Sequence, residues 1–123
     1  MNKKELEMRL VSFTSSVLKE VQKLKKDQVR NHLVGQIIRS STAVALNYGE
    51  AQSAESKRDF IHKVGIVLKE LRETHINLCL LANLEEDPAN KSLFANLIKE
   101  SDELLAIFHK TVMTAKLNAG VDS

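Results

Sequence analysis

The chain has 123 residues, enough for one hydrophobic core, so we predict a single domain over residues 1–123. Hydrophobic residues make up 43% and charged residues 28% of the sequence, which excludes an intrinsically disordered chain, and the scarcity of glycine (four) and proline (one) favours helices over sheets. The formal net charge is only +2, so any attraction for nucleic acid must come from local patches of basic side chains.

The first predicted helix has apolar side chains at alternating steps of four and three residues, the spacing of one helix face. This series contains Leu6, Leu10, Phe13, Val17 and Leu24. Only Glu20 interrupts it. Lys25 and Lys26 favour a helix end, because cations offset the exposed carbonyl groups there, and Asp27 is the predicted N-cap of the second helix.

The second predicted helix carries two neighbouring apolar lines. The first contains Leu33, Ile37, Val44 and Ala51, and the second contains Val34, Ile38, Ala45 and Tyr48. A third helix is predicted to begin at Ser56, because Asp59 stands three residues later in the capping-box position. It carries an unbroken heptad pattern at Phe60, Val64, Val67, Leu71, Thr74, Leu78 and Leu81.

The fourth predicted helix follows Pro88, which cannot continue a helix but suits the first turn of the next one, with Asp87 as its cap. Its main line contains Phe94, Ile98, Ser101, Leu105, Phe108, Val112 and Ala115, and the helix ends at 118–120. Joints of a few residues force neighbouring helices to run antiparallel. The sequence therefore predicts an all-α, antiparallel up-down-up-down four-helix bundle.

Polar side chains fall on positions that should face inward. Ser40 and Asn47 share a line with the apolar residues of the second helix, and Glu50 follows one turn later. Glu70 and Glu73 lie on an adjoining stripe of the third helix. Buried polar groups need partners, so we favour a structural network that fixes helix register; a ligand-binding groove is the alternative interpretation.

Gly35, Gly49 and Gly65 lie inside the predicted helices, although each glycine costs roughly 1 kcal/mol relative to alanine in a helix interior. The pattern indicates that these positions allow close helix approach, either within the bundle or between subunits.

No pattern in the sequence indicates catalysis, a metal or another cofactor. Di-iron bundles require two Glu-x-x-His pairs, and none occurs. Asp59 and His62 provide only two ligands, which is too few for zinc. Cys79 is the single cysteine and is interpreted as a core residue. We therefore expect a protein that is not an enzyme and has no small-molecule substrate.

No stretch reaches the roughly 18 apolar residues that a membrane-spanning helix needs, and the first residues lack the apolar run of a secretory signal. We therefore expect a cytoplasmic protein without a membrane partner.

Three motifs in residues 36 to 81 resemble the four-helix bundle protein family encoded in intervening sequences of bacterial large ribosomal RNA genes. The motifs are Arg39-Ser-Ser-Thr-Ala-Val-Ala-Leu-Asn47-Tyr-Gly-Glu50-Ala51, Ser56-Lys-Arg-Asp59-Phe60-Ile and Lys69-Glu70-Leu-Arg-Glu73-Thr74. The resemblance implies a left-handed antiparallel bundle that assembles as a homopentamer and has no known catalysis. One branch of the family, which the chain also resembles, is the accessory variability determinant of diversity-generating retroelements, which binds a reverse transcriptase and its template RNA.

An oligomer is also expected from the paired apolar lines, because a lone small bundle would leave part of them exposed. We therefore predict a bacterial, non-enzymatic adaptor, most simply a pentamer, that binds RNA or a ribonucleoprotein such as a reverse transcriptase complex. The alternative is a purely protein-binding scaffold.

Basic side chains form two candidate phosphate-binding groups. The first contains Lys19, Lys23, Lys25, Lys26 and Arg30, near the first joint, and the second contains Lys57 and Arg58, at the start of the third helix. Alternating topology places the two groups at opposite ends of the bundle. For any single lysine, an ordinary solvated surface is the competing interpretation.

Overall fold

The computed structural model describes residues 1–120, so the last three residues of the predicted domain, 121–123, lie outside the described part. It contains four helices: α1 (Lys3–Val21), α2 (Gln28–Gln52), α3 (Lys57–Leu84) and α4 (Pro88–Asn118). Backbone contacts join α1 to α2, α2 to α3, α3 to α4 and α4 to α1, so the helices form a closed ring around the core. The predicted all-α four-helix bundle is confirmed.

Side-chain caps begin the last three helices as predicted. The Arg30 amide donates to Asp27 Oδ1 at 2.8 Å, the Asp59 amide to Ser56 Oγ at 3.0 Å, and the Ala89 amide to Asp87 Oδ1 at 2.9 Å. Each cap satisfies an amide that has no acceptor within the helix. These caps explain why each helix starts at its observed residue.

The C-terminal end of α1 differs from the prediction. The helix begins at Lys3, where Asn2 accepts the Glu5 amide at 2.8 Å. It ends at Val21, because the amides of residues 23 and 24 bond to carbonyl groups only three residues earlier and tighten the last turn. Leu24 is nevertheless buried and enters the core from this turn.

The neighbouring helices run antiparallel. The start of α1 meets the end of α2, where the Gln52 side-chain amide donates to Glu7 at 3.0 Å, and the start of α2 meets the end of α3, where Arg30 reaches the Leu84 carbonyl. The middle of α2 meets the middle of α3 through the hydroxyl groups of Ser40 and Thr74. The starts of α1 and α3 therefore lie at one end of the bundle, together with the ends of α2 and α4.

The core contains six of the seven predicted heptad positions of α3, all except the half-buried Phe60, together with Phe94 and Phe108 of α4. Across the core, the rings of Tyr48 and Phe108 meet edge to face, with centroids 5.3 Å apart. Glu20, which interrupts the apolar series of α1, is buried with that series rather than turned outward.

Some apolar side chains are exposed in a single chain. The exposed fractions are 41% for Ile38, from the second apolar line of α2, 42% for Val11 of α1 and 68% for Leu46, which belongs to neither line of α2. None of the helices described in residues 1–120 is both long enough and apolar enough to cross a membrane.

The prediction that glycines allow close helix approach within the bundle is wrong at Gly35 and Gly65. A Cβ atom added at Gly35 or Gly65 would meet no described atom within 4 Å, and one at Gly49 would have ordinary contact with Glu7. These glycines therefore do not permit close helix approach inside a single chain.

Candidate nucleic-acid interface

The first predicted basic group lies where α1 passes into α2. Lys19, Lys25 and Lys26 are exposed, and none of them has an ion-pair partner among the described residues. Lys23 differs, because its Nζ lies 3.3 Å from Glu20 Oε2. Three of the five predicted cations are thus available to an anionic partner, and a fourth is held by a surface ion pair that water and salt weaken.

Arg30, the fifth member of the first basic group, has a structural role. Its NH1 donates to Asp27 Oδ2 at 2.6 Å, and its NH2 donates to the Leu84 carbonyl oxygen at 2.7 Å. This side chain therefore connects the start of α2 to the end of α3. Its charge still contributes to the local potential, but two of its nitrogens are already engaged.

A groove of about 410 Å³ runs between α1 and α4 beside this basic group. Phe13 and Leu97 contribute to its apolar wall, and Lys19 and Lys23 stand on its polar side. Glu20 also lines the groove, and its Oε1 is buried without a hydrogen-bond partner in residues 1–120. A buried acceptor without a donor costs about 1–3 kcal/mol, so this carboxylate oxygen lowers the stability of the folded chain.

The second predicted basic group lies at the opposite end, as the topology requires. Lys57 and Arg58 occupy the first turn of α3, are exposed and have no ion-pair partner in the described chain. The structure brings two further lysines to this end, Lys3 from α1 and Lys110 from α4. Sequence reasoning missed both, although antiparallel topology places the start of α1 and the end of α4 together.

Three of the five predicted polar-network residues do meet at the α2–α3 contact. Arg39 donates from NH1 to Glu70 Oε2 at 2.6 Å and from NH2 to Glu73 Oε2 at 2.5 Å. These bonds, first with Glu70 and then with Glu73, raise the pKa of Arg39. The Thr74 hydroxyl lies 2.8 Å from the Ser40 hydroxyl and 2.9 Å from the Glu70 carbonyl oxygen. The result is a continuous polar seam between the two helices.

The other two predicted members lie outside this seam. The Asn47 side chain donates to the Ala43 carbonyl oxygen of its own helix at 2.8 Å, so it satisfies itself locally. Glu50 is exposed and pairs with Lys63 Nζ at 3.4 Å. The predicted place of Asn47 in the seam is therefore corrected, whereas Glu50 contacts α3 as predicted, through Lys63 rather than through the seam residues. Arg39, expected to have a structural role beside the seam, completes it, because its long side chain reaches across to α3 from the position before Ser40.

His75 lies between α3 and α4 and contacts Ser101 and Cys79. His75 Nδ1 is 2.7 Å from Ser101 Oγ, which itself donates to the Ile98 carbonyl oxygen at 2.7 Å. Because Ser101 is fully buried and its proton is engaged, it fits a helix-packing role rather than that of a nucleophile. Cys79, expected in the core, is only half-buried, and its Sγ lies 3.8 Å from His75 Nε2. Within residues 1–120 no group of three or more potential ligands could hold a metal ion.

Comparison with known proteins identifies a family, and the fold is similar to that of a solved structure. The profile of the family described as 23S rRNA-intervening sequence protein matches residues 5–110. The fold is similar to the crystal structure of a protein with unknown function from the S23 ribosomal protein family of Bacteroides thetaiotaomicron, with a TM-score of 0.79 and 26% sequence identity. That similarity covers 92% of this chain and 99% of the other. No curated protein matches the chain.

Proposed function

Because the chain belongs to the 23S rRNA-intervening sequence protein family, we propose that it is a non-enzymatic, oligomeric adaptor that binds RNA or a ribonucleoprotein partner. The family description refers to ribosomal RNA, and the similar structure is named for a ribosomal protein family. Both names support an RNA-related role. A reverse transcriptase complex is the specific ribonucleoprotein partner that the sequence motifs suggest.

The observation that carries the proposal is the set of exposed cations without ion-pair partners in residues 1–120. This set contains Lys19, Lys25 and Lys26 at one end, and Lys57 and Arg58 at the other. Phosphate contacts by such side chains release counterions, which supplies most of the non-specific affinity for nucleic acid. A near-neutral protein can therefore bind RNA through local groups of cations at its two ends.

The proposal includes a homopentamer. Exposed apolar side chains on neighbouring faces of α1 and α2, such as Val11, Ile38 and Leu46, support self-association, because burial of apolar surface stabilises subunit contacts. A ring repeats each basic end once per subunit. Repetition raises overall affinity without any new contact, since several weak sites engage one RNA molecule.

The test is a salt titration of binding to a structured RNA, measured by fluorescence anisotropy. We expect the affinity to fall steeply as salt rises, and a Lys25→Glu/Lys26→Glu variant to bind more weakly with a shallower salt dependence. The matched control is Lys69→Glu/Lys99→Glu, which makes the same charge change at exposed positions along the sides of the bundle. Absence of binding at low salt, or equal losses in both variants, would contradict the proposed RNA surface.

The second candidate function is a protein-binding scaffold without nucleic-acid contact. It is favoured by a row of exposed apolar side chains at helical spacing on α3, formed by Ile76, Leu80 and Leu84. A pull-down with a reverse transcriptase, repeated after ribonuclease treatment, separates the two candidates. Capture that persists without RNA supports the scaffold, and capture that disappears supports the RNA adaptor.

A further inference from the structure

Two adjoining depressions lie at the end of the bundle where α1 and α3 begin and α4 ends. The larger has a volume of about 500 Å³ and the smaller about 190 Å³, and they share Phe60, Ala115 and Asn118 as walls. Lys3 and Lys110 line the larger depression, and Lys57 lines the smaller. We call the pair the end cleft. The larger volume falls within the range of about 300–1,000 Å³ that is typical of small-molecule sites.

All the charged side chains that line the end cleft are positive. No carboxylate lines either depression, and Lys3, Lys57 and Lys110 have no ion-pair partner in the described part of the chain. A concave surface of one charge sign concentrates ions of the opposite sign. The cleft therefore favours an anionic ligand.

The lining also contains an aromatic surface. Phe60 is half-buried on the wall that both depressions share, and Ile107 extends the apolar lining of the larger one. Thr114 and Asn118 stand at the same site and offer hydrogen-bonding groups. A simple inorganic anion needs the lysines alone. An aromatic wall beside them is the combination that binds a nucleotide, whose phosphate meets the cations while the base stacks on the ring.

We infer that the end cleft binds a single nucleotide, with its phosphate at Lys3, Lys57 and Lys110 and its base against Phe60. The nucleotide is an unpaired residue of an RNA strand or a free nucleotide, which share this chemistry. Where the nucleotide belongs to an RNA strand, the inference rests on the proposed RNA-binding function. The end cleft is then an RNA site separate from the lysines of the first joint.

The experiment measures binding of a fluorescently labelled single-stranded RNA oligonucleotide by anisotropy, with unlabelled adenosine monophosphate as competitor. Phe60→Leu should weaken binding by roughly 5- to 150-fold, which corresponds to about 1–3 kcal/mol of base stacking on an aromatic ring. Phe60→Tyr should bind like the wild type because it keeps the ring. Lys3→Gln/Lys110→Gln should weaken binding and reduce the slope of log affinity against log salt by about 0.7 for each phosphate that the variant no longer neutralises.

The outcomes separate this inference from the proposed function. If Phe60→Leu and the double lysine variant fold and bind the oligonucleotide like the wild type, the inference is overturned, while RNA binding at the first joint still stands. If Phe60→Leu is unfolded, as judged by circular dichroism, the lysine variant alone decides. If adenosine monophosphate fully displaces the oligonucleotide, the ligand is a free nucleotide. If the oligonucleotide binds and adenosine monophosphate does not compete, the ligand is an RNA strand. If adenosine monophosphate binds but structured RNA does not, the proposed function fails and the inference survives.

Discussion

A bidentate ion pair joins α1 to α4, and we expect it to hold these two helices in register. Arg9 donates from Nε to Glu100 Oε2 at 2.8 Å and from NH2 to Glu100 Oε1 at 2.7 Å. These bonds raise the pKa of Arg9. The same NH2 group lies 3.8 Å from Glu103, which stands about one turn further along α4. The structure therefore provides a close pair and a loose pair that share one arginine.

The expected size of the interaction follows from its exposure. Two unit charges 4 Å apart attract by about 1 kcal/mol in water and about 4 kcal/mol at an effective dielectric constant of 20. The side chains of Arg9 and Glu100 are 28% and 29% exposed, so water screens part of the attraction. Ordering two long side chains also costs up to roughly 1.5–2 kcal/mol each. We therefore expect a coupling free energy of about 1–1.5 kcal/mol, above that of an ordinary surface pair because the geometry is bidentate.

A double-mutant cycle measures this coupling. Arg9→Met, Glu100→Gln and the double variant are unfolded in urea at one fixed protein concentration, because an oligomer's apparent stability depends on concentration. Each single variant should lose about 1–2 kcal/mol of unfolding free energy, or roughly 3–6 °C of melting temperature per kcal/mol. Glu103→Gln is the control and should lose less than about 0.5 kcal/mol, because its carboxylate is 57% exposed. Additive losses from the two single variants would refute the reasoning.

Three further measurements test the fold. Gly35→Ala and Gly65→Ala should each raise the unfolding free energy by about 0.8–1 kcal/mol, because the added Cβ meets open space; a variant that gains stability yet assembles less well would locate a subunit contact at that glycine. Phe108→Ala should lose about 3–5 kcal/mol in urea unfolding, because the ring is fully buried. The hydrogen bond from the Arg30 backbone amide, and after it the Arg30 side chain, hold the pKa of Asp27 below its ordinary value. The Asp27 carboxylate therefore contributes its full stabilisation at pH values above the unfolded-state pKa. That stabilisation is lost as pH falls through the lowered pKa of the folded state. Urea midpoints should thus fall less between pH 6 and pH 3 in Asp27→Asn than in the wild type.

The sequence is sufficient for the fold because its signals are local. Asp27, Ser56 and Asp87 each cap a helix at the position that their side chains predict, and Pro88 separates α3 from α4. These residues act through hydrogen bonds to amides two or three positions away, so no knowledge of tertiary structure is needed. The heptad pattern of α3 then orients that helix toward the core.

The candidate sites depend on contacts between distant parts of the chain, and here prediction was partial. Arg39 reaches Glu70 and Glu73 through a long, flexible side chain, so periodicity placed the arginine beside the seam but did not show which carboxylates it binds. Asn47 shares the periodicity of the seam, yet it bonds to its own helix. Spacing along a helix shows which face a residue occupies; it does not show whether a polar group is satisfied locally or across an interface.

Lys3 and Lys110 were missed for a related reason. They are 107 positions apart in sequence, and no local pattern marks either of them as part of a group. Only the ring order of the helices brings the start of α1 beside the end of α4. Up-down-up-down topology puts both lysines at the same end of the bundle as Lys57, so cations are better grouped by bundle end than by position along the chain.

The two basic ends act independently, because the bundle is long compared with the range of electrostatic forces in salt. The longest helix, α4, has 31 residues and therefore extends about 46 Å at 1.5 Å per residue. The Debye length at physiological ionic strength is about 8 Å. A phosphate bound near Lys25 thus leaves the potential at Lys57 almost unchanged. In the proposed ring, rotation about one axis keeps all copies of one end at the same height, so the assembly presents two different faces. One face carries lysines beside the groove that Phe13 and Glu20 line, and the other carries the lysines beside Phe60, where we infer the nucleotide site.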